Sequence, residues 1–429
     1  MIRPFFFVFT SFDLKKVIMS RVVKNVLQIV FVLSVVSCGV SEIGGYVWDE
    51  VNGVWKGPST GSSITSKSIT YVTAFDYPDD YDWWYNPEKG SVRCSLVVYT
   101  NGKPSLKVPV GDMYHVSDDP DMHRVIDGHL YTDYATDVET IIKKDGKPYV
   151  LFEGRESILS MLVKEDSLYT LGQKRNGNGF SYRVNGRVVL ERNKGYSFGK
   201  LVSVDGDIRF AFAEQIGTDA GNVERYYCYM NGKILQTALR DDLKKVWDIE
   251  FHNGVPYALA TLTGMLEPVV ISEIGVYALS LPYGMSLMSG RLISSGSHVA
   301  AEMVLASKSG LSSALWLDNK LYAIFDDGRT VSSIWVGDNG MACVLNGKGT
   351  AGNGMIFRMG EYYNLPAQLS CQGVASVDMI DGILTVGLTS EDRSKPVIWR
   401  DGEMEELDVN GYICTVSSRP QSSHLSVLD

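Results

Sequence analysis

Most of the chain alternates short apolar runs with polar turn dipeptides. In the clearest unit, residues 375–407, four such runs are separated by the turn Asp381-Gly382, a loop and the turn Asp401-Gly402. Asn-Gly and Asp-Gly pairs between apolar runs predict two-residue β-hairpins, because Asn, Asp and Gly tolerate the positive φ that type I′ turns require. Each unit is therefore predicted to be a four-stranded antiparallel sheet.

Two interleaved series of turn pairs recur at steps of 39 to 48 residues. The first series is Asn101-Gly102, Asp145-Gly146, Asn185-Gly186, Asn231-Gly232, Ile274-Gly275, Asp318-Asn319, Met359-Gly360 and Asp401-Gly402. The second is Asp127-Gly128, Asp166-Ser167, Asp205-Gly206, Asn253-Gly254, Ser295-Gly296, Asn339-Gly340 and Asp381-Gly382. A four-stranded unit with this period is typical of a β-propeller blade, since sheets this small bury their faces by stacking around an axis.

The second series has one pair fewer than the first, which bears on the number of blades. The missing hairpin belongs to the blade containing Ser95–Tyr99 and Lys103–Val110, with Ser68–Ala74 as its second strand and Gly411–Val416 as its inner strand. We therefore predict an all-β, eight-bladed propeller over residues 68–418. N- and C-terminal strands in one blade would close its ring and leave no free edge. Seven blades is the alternative, if residues 68–110 pack outside the ring.

The first 38 residues have the pattern of an export signal. Arg21 and Lys24 precede the apolar run Val26–Val36, which is shorter than the roughly 20 residues needed to span a bilayer. The following Val-Val-Ser-Cys sequence, ending at Cys38, resembles the lipobox of bacterial lipoproteins, in which the cysteine is acylated. The resemblance implies a signal peptide over residues 1–38, with Met19 as an alternative start, and a lipid anchor in the bacterial cell envelope. Residues 39–67 are then expected to be a tether and residues 419–429 a tail.

Composition narrows the function classes. The net charge is −10 and no Lys/Arg cluster is present, which argues against nucleic-acid binding because phosphate contacts require cations. Beyond Cys38, five widely spaced cysteines without a CxxC motif predict buried free thiols rather than a metal site: Cys94, Cys228, Cys343, Cys371 and Cys414.

In segments Val397–Gly402 and Ala314–Asn319, a Trp follows two apolar residues and stands two positions before an Asp. The pattern resembles the "VWKNG"-type repeats of propeller lipoproteins from gut anaerobes, over about residues 90–410. It departs from that pattern where other residues replace the Trp, namely at Tyr99, Lys143, Arg183 and Tyr229. The resemblance implies the fold and the envelope location, and it supplies no catalytic residues.

One loop combines aromatic and acidic side chains: Asp76, Asp79, Asp80, Asp82, Trp83, Trp84 and Tyr85. Aromatic rings stack on sugar rings while carboxylates accept hydroxyl hydrogen bonds, so Asp82, Trp83, Trp84 and Tyr85 form a candidate glycan site. The alternative is that the two Trp side chains pack against the blade edge. Asp76, Asp79 and Asp80 are candidate Ca²⁺ ligands, although their spacing is not that of an EF-hand; no other cofactor is expected.

A second loop, Asp118–His123, pairs acids with a histidine, and His115 and His129 lie nearby in sequence. Acids with His could perform acid–base chemistry, but no recognisable catalytic spacing is present. The sequence therefore favours a lipid-anchored protein that binds a glycan or an envelope protein through loops on one face. A polysaccharide lyase or glycoside hydrolase is one alternative. A scaffold subunit of an envelope complex is another, and an exposed apolar patch would favour it.

Overall fold

The computed structural model of the chain contains β-strands and turns. The structure describes three short strands between residues 42 and 56 and, beyond them, residues 68–77, 93–112, 123–174, 179–218, 221–236, 243–265, 267–295, 298–308, 310–325, 328–338, 340–346, 354–358, 360–365, 369–370, 376–390, 395–400, 402–411 and 413–420. Within these residues no helix is long and apolar enough to cross a membrane. The chain divides into two compact units, Met1–Ser66 and Lys67–Asp429.

The first unit contains a three-stranded antiparallel sheet within the segment predicted to be a tether. Its strands are β1 (Glu42–Ile43), β2 (Tyr46–Asp49) and β3 (Val54–Lys56). The second unit contains eight antiparallel sheets, which are the blades of a propeller. Blade 1 contains β4 (Ser68–Asp76), β5 (Arg93–Thr100) and β6 (Lys103–Asp112).

Blades 2 to 4 follow in chain order, and in blade 4 two short strands share the first position of the sheet. Blade 2 contains β7 (His123–Ile126), β8 (His129–Ala135), β9 (Glu139–Lys144) and β10 (Lys147–Glu153). Blade 3 contains β11 (Glu156–Lys164), β12 (Ser167–Lys174), β13 (Phe180–Val184) and β14 (Arg187–Arg192). Blade 4 contains β15 (Tyr196–Ser197), β16 (Val202–Val204), β17 (Asp207–Thr218), β18 (Gly221–Met230) and β19 (Lys233–Gln236).

Blades 5 to 8 repeat this arrangement, and blade 8 again has a divided first strand. Blade 5 contains β20 (Leu243–His252), β21 (Val255–Leu262), β22 (Pro268–Ser272) and β23 (Gly275–Ala278). Blade 6 contains β24 (Ser286–Ser295), β25 (His298–Ser307), β26 (Gly310–Leu317) and β27 (Lys320–Phe325). Blade 7 contains β28 (Val331–Gly337), β29 (Gly340–Leu345), β30 (Met355–Arg358) and β31 (Glu361–Asn364). Blade 8 contains β32 (Leu369–Ser370), β33 (Ser376–Ile380), β34 (Ile383–Ser390), β35 (Pro396–Arg400) and β36 (Glu403–Glu406).

The last strand, β37 (Ile413–Pro420), closes the ring. It pairs antiparallel with β4, so that Val416 lies opposite Val72, and becomes the inner strand of blade 1. Inner strands of neighbouring blades contact one another, including β33 with β37 and β37 with β7. This confirms eight blades and closure by N- and C-terminal strands in one sheet. The seven-bladed alternative is wrong, because residues 68–110 lie within blade 1.

Each blade buries its faces against its two neighbours. The described residues contain eight clusters of buried apolar side chains, and each cluster joins two consecutive blades. In the cluster between blades 5 and 6, Leu259 and Leu292 pack with Trp316. Trp399 takes part in the cluster between blades 7 and 8. Both tryptophans are buried, as their strand positions predicted.

Most predicted hairpin turns have the expected backbone. Asn101, Asp145, Asn185 and Asn231 have φ between 49° and 51°, and the glycines that follow them also have positive φ. Four turns differ from the prediction by one position, because Ser167, Gly275 and Gly340 already begin strands and Ser295 still ends β24. In blade 3 the predicted pair contained no glycine, and Glu165 and Asp166 have the positive φ.

The meander separates two faces of the propeller. Turns that join the first strand to the second, and the third to the fourth, lie at one end of each blade, the turn face. Connections between second and third strands, and between blades, lie at the other end, the loop face. In a four-stranded antiparallel sheet this separation follows from strand direction alone.

Three described cysteines, Cys94, Cys228 and Cys343, are buried and free. Burial raises the pKa of Cys94 to about 11 and that of Cys228 to about 12, because the thiolate would lose its hydration. This confirms the prediction of buried thiols for these three.

Candidate functional site

The strand ends that flank the two predicted loops lie on the loop face. Asp76 ends β4 and Arg93 begins β5, while Asp112 ends β6 and His123 begins β7. The strand ends that flank both loops therefore lie on the same face, in blades 1 and 2. The candidate residues within the loops, Asp79, Asp80, Asp82, Trp83, Trp84, Tyr85 and residues 118–122, lie outside the described residues, and their roles stay predictions.

Asp76 is the one candidate loop residue that the structure describes. Its Oδ2 atom accepts a hydrogen bond from Lys107 Nζ at 2.6 Å, and its Oδ1 atom accepts one from the backbone N–H of Asn410 at 3.2 Å. The N–H of Tyr77 donates to the carbonyl of Asn410 at 2.7 Å. Asp76 thus fixes the segment that enters the closing strand. The calcium prediction also needs Asp79 and Asp80, which lie outside the described residues. Among the described residues, no group of three His, Cys, Asp or Glu side chains is arranged to hold a metal ion.

A groove runs along the seam where blade 8 meets blade 1. Its volume is about 550 Å³, and it extends from the turn face to Asp76 at the loop face. A second cavity of about 400 Å³ at the loop-face end shares several of its lining residues. We call the two together the seam groove, and its principal lining residues are Asp76, Val97, Tyr99, Pro104, Leu106, Lys107, Lys395, Glu405, Glu406, Asp408 and Val409.

The chemistry of the seam groove is mixed. Its four carboxylates exceed its two lysines, and Lys395 Nζ lies 3.4 Å from Glu406 Oε2. The Tyr99 ring is buried among apolar side chains of the blade 8–blade 1 cluster. Burial raises the pKa of Tyr99, and the charges of Asp408 and Asp76 raise it further. The groove therefore presents carboxylate acceptors beside an apolar wall, with the buried Tyr99 among its lining residues.

A second polar cluster lies between blades 4, 5 and 6, near the inner strands. Lys200 Nζ donates to the Glu250 carboxylate and, at 2.9 Å, to the carbonyl oxygen of Leu292. Asp248 accepts the N–H of Leu292 at 2.7 Å and that of Ile249 at 2.9 Å. These bonds link three blades through side chains that the sequence analysis did not single out. The available signal was the pair of acids in the otherwise apolar run of β20.

Burial dominates the electrostatics of this cluster. Desolvation raises the pKa of Asp248, of Glu250 and of Glu302, while Lys200 or Arg291 opposes the shift. Arg291 of β24 forms an ion pair with Glu302 of β25, which lies opposite it. The carboxylates point inward and bond to protein groups, so the cluster acts in the structure as a link between blades.

The same link recurs elsewhere in the ring. Ser160 Oγ accepts the N–H of Leu201 at 3.1 Å, and Ser376 Oγ accepts the N–H of Val416 at 2.9 Å. Like Asp248, each side chain belongs to an inner strand, and its donor lies in the inner strand of the next blade or, for Leu201, directly before β16. The backbone N–H of an inner strand has no neighbouring strand on its open side. A polar side chain from the adjacent blade accepts the hydrogen bond instead.

The histidines that are near in sequence are separated in the fold. His123 lies at the loop-face end of β7, whereas His129 follows the turn at the opposite face. His129 Nδ1 lies 2.7 Å from Asp145 Oδ2, and His298 Nδ1 makes the matching contact with Asp318 Oδ2 at 2.6 Å. His129 thus connects two turns within its blade.

No protein-family model matches the chain, and no curated protein matches it. Among solved structures, it resembles BamB from Moraxella catarrhalis, with a TM-score of 0.43 and 12% identity over 76% of this chain and 95% of that one. It also resembles the β-propeller domain of the Trilobed protease from Pyrococcus furiosus, with a TM-score of 0.42 and 13% identity over 70% of this chain and 92% of that one. A third similar structure is the dihydro-heme d1 dehydrogenase NirN, with a TM-score of 0.45 and 13% identity over 82% of this chain and 75% of that one. At these values the comparisons concern architecture and give no ligand or activity.

Proposed function

We propose that the chain is an exported, lipid-anchored binding protein that holds a glycan in the seam groove. The observation that carries the proposal is the groove itself, in which acids and Tyr99 line a cavity rooted at Asp76. Asp76 is also the last strand residue before the loop that contains Trp83 and Trp84, the aromatic residues of the glycan site predicted from the sequence. Acceptors beside an apolar wall suit a sugar, whose ring carries hydroxyls at its edge and C–H groups on its faces.

Two substitutions test the groove with little change of shape. Tyr99→Phe removes one hydroxyl from the groove, and Asp408→Asn removes one charge. Loss of one hydrogen bond of about 1.4 kcal/mol corresponds to a tenfold rise in Kd. We expect each variant to weaken a glycan identified on an array by about that factor, measured by calorimetry with the full chain in detergent micelles.

Glu361→Gln is the matched control, since Glu361 is exposed on the outer strand of blade 7, away from the seam. A glycan that binds all four proteins equally would place its site elsewhere. No binding to any glycan on the array would contradict the glycan proposal. Product formation from a bound glycan would replace it with the hydrolase or lyase alternative.

The lipid anchor has a separate test. Acylation at Cys38 predicts that an alkyne-labelled fatty acid fed to the producing bacterium is incorporated into the chain. Cys38→Ser should abolish the label and release the protein from the membrane fraction, whereas Cys371→Ser should retain both. Label remaining in Cys38→Ser would contradict the proposed anchor and the envelope location that depends on it.

A further inference from the structure

The loop face of blades 5 and 6 exposes a group of large apolar side chains. Met265, Tyr283, Met288 and Leu311 are 41%, 106%, 54% and 51% exposed. They lie in the β21–β22 loop, in the connection from blade 5 to blade 6, and near the starts of β24 and β26. Other exposed large apolar residues near this face, Val138, Leu151, Leu235 and Tyr363, are distributed over blades 2, 4 and 7. Blades 5 and 6 together carry four such residues.

Three exposed lysines lie on the same face of these two blades. Lys244 and Lys245 are the second and third residues of β20, and Lys308 follows β25. Lys245 Nζ lies 3.4 Å from the centroid of the Trp247 ring, which holds the ammonium group at a defined place. Among the described residues of these loops, the three exposed lysines compare with one half-buried acid, Glu267, although the whole chain carries a net charge of −10.

We propose that this surface, here called the blade 5–6 patch, binds a protein partner through a peptide segment that carries both acidic and apolar side chains. Methionine and tyrosine adapt to apolar side chains of varied shape, and the lysines attract carboxylates. Because Lys245 is held over the Trp247 ring, it favours a carboxylate at a defined position, which a fluid anionic lipid surface does not supply. The patch is a site additional to the seam groove, which lies between blades 8 and 1, and the two can be inactivated separately.

The test uses display of random twelve-residue peptides against the full chain in detergent micelles. We expect enrichment of peptides with net negative charge and with aromatic or aliphatic residues. Their Kd, measured by fluorescence polarisation, should rise about tenfold in Lys244→Glu/Lys245→Glu and at least tenfold in Tyr283→Ser/Met288→Ser. Higher salt should weaken binding to the wild-type chain and have a smaller effect on the lysine variant.

Val188→Ser/Val189→Ser is the matched control, because both valines are exposed apolar residues on the outer strand of blade 3, away from the patch. Tyr99→Phe should also leave peptide binding unchanged. The proposal is overturned if no acidic peptide is enriched, or if the control weakens binding as much as the patch variants. A third outcome also overturns it: acidic peptides do not bind, while vesicles of phosphatidylglycerol and phosphatidylcholine retain the wild-type chain better than the lysine variant. That result would make the patch a lipid-binding surface.

Discussion

Glu156 of β11 and Arg183 of β13 form a buried ion pair within blade 3, at a position where other repeats place Trp. Arg183 Nη2 lies 2.8 Å from Glu156 Oε1, and Ser181 Oγ donates to Glu156 Oε2 at 2.6 Å. The two side chains are 9% and 3% exposed, and the guanidinium carbon lies 4.1 Å from the centroid of the Phe152 ring. A Cβ at Gly172 would come within 2.6 Å of the same carboxylate, so the space around it is full.

Replacing one partner with a side chain of similar length leaves the other charge buried without its counterion. We expect Glu156→Met to lower the free energy of unfolding by about 3–5 kcal/mol, and Arg183→Met to do the same. The double variant removes both charges and fills the space with apolar atoms, so it should lie within about 2 kcal/mol of the wild type. The remaining cost is mainly the hydrogen bond that Ser181 loses.

Urea unfolding followed by tryptophan fluorescence measures all four proteins as a double-mutant cycle. Lys395→Ala is the control, because Lys395 and Glu406 form a pair whose side chains are 54% and 67% exposed, and its loss should cost about 0–1 kcal/mol. A cost below about 1 kcal/mol for either single variant would show that the pair behaves like a surface pair. Additive losses in the double variant would refute the reasoning, because they would mean that the two charges do not depend on each other.

Burial raises the pKa of Asp378, so ionisation there opposes folding, and wild-type stability should fall as pH rises from about 3.9 through the folded-state pKa. The free energy of unfolding of Asp378→Asn, measured with urea, should fall less between pH 4 and pH 8 than that of the wild type. Equal pH dependence of the two proteins would contradict this. A Cβ at Gly411 would overlap a backbone carbonyl of β4, so Gly411→Ala should lower the free energy of unfolding by about 1–3 kcal/mol. Gly232 has a positive φ and open space around it, so Gly232→Ala should lower it by about 1 kcal/mol. A larger loss for Gly232→Ala than for Gly411→Ala would contradict the packing. Cys94 and Cys228 have pKa values of about 11 and 12, so both thiols should resist iodoacetamide at pH 8 until urea unfolds the chain. Mass spectrometry measures the labelling, and rapid labelling of the folded chain would contradict the burial of these thiols.

Local chemistry in the sequence determined the strands, the turns and the number of blades. A pair such as Asn185-Gly186 specifies its own hairpin, because its residues tolerate positive φ wherever the pair lies in the chain. The regular spacing of such pairs then required a repeat architecture. Even the closing strand could be predicted, since a blade lacking one hairpin implied that residues near 413–416 would complete it.

The arrangement between blades was decided by tertiary structure. Asp248 and its donor Leu292 are 44 residues apart, and nothing local to either one indicates that they meet. Their contact depends on how two sheets pack. The Arg183–Glu156 pair lies within one sheet, but it joins β11 and β13, which are separated by β12. The seam groove and the blade 5–6 patch likewise collect residues from separate strands and loops. A sequence pattern reports backbone preference and burial over a few residues, whereas a site depends on distances between side chains that only the closed ring sets.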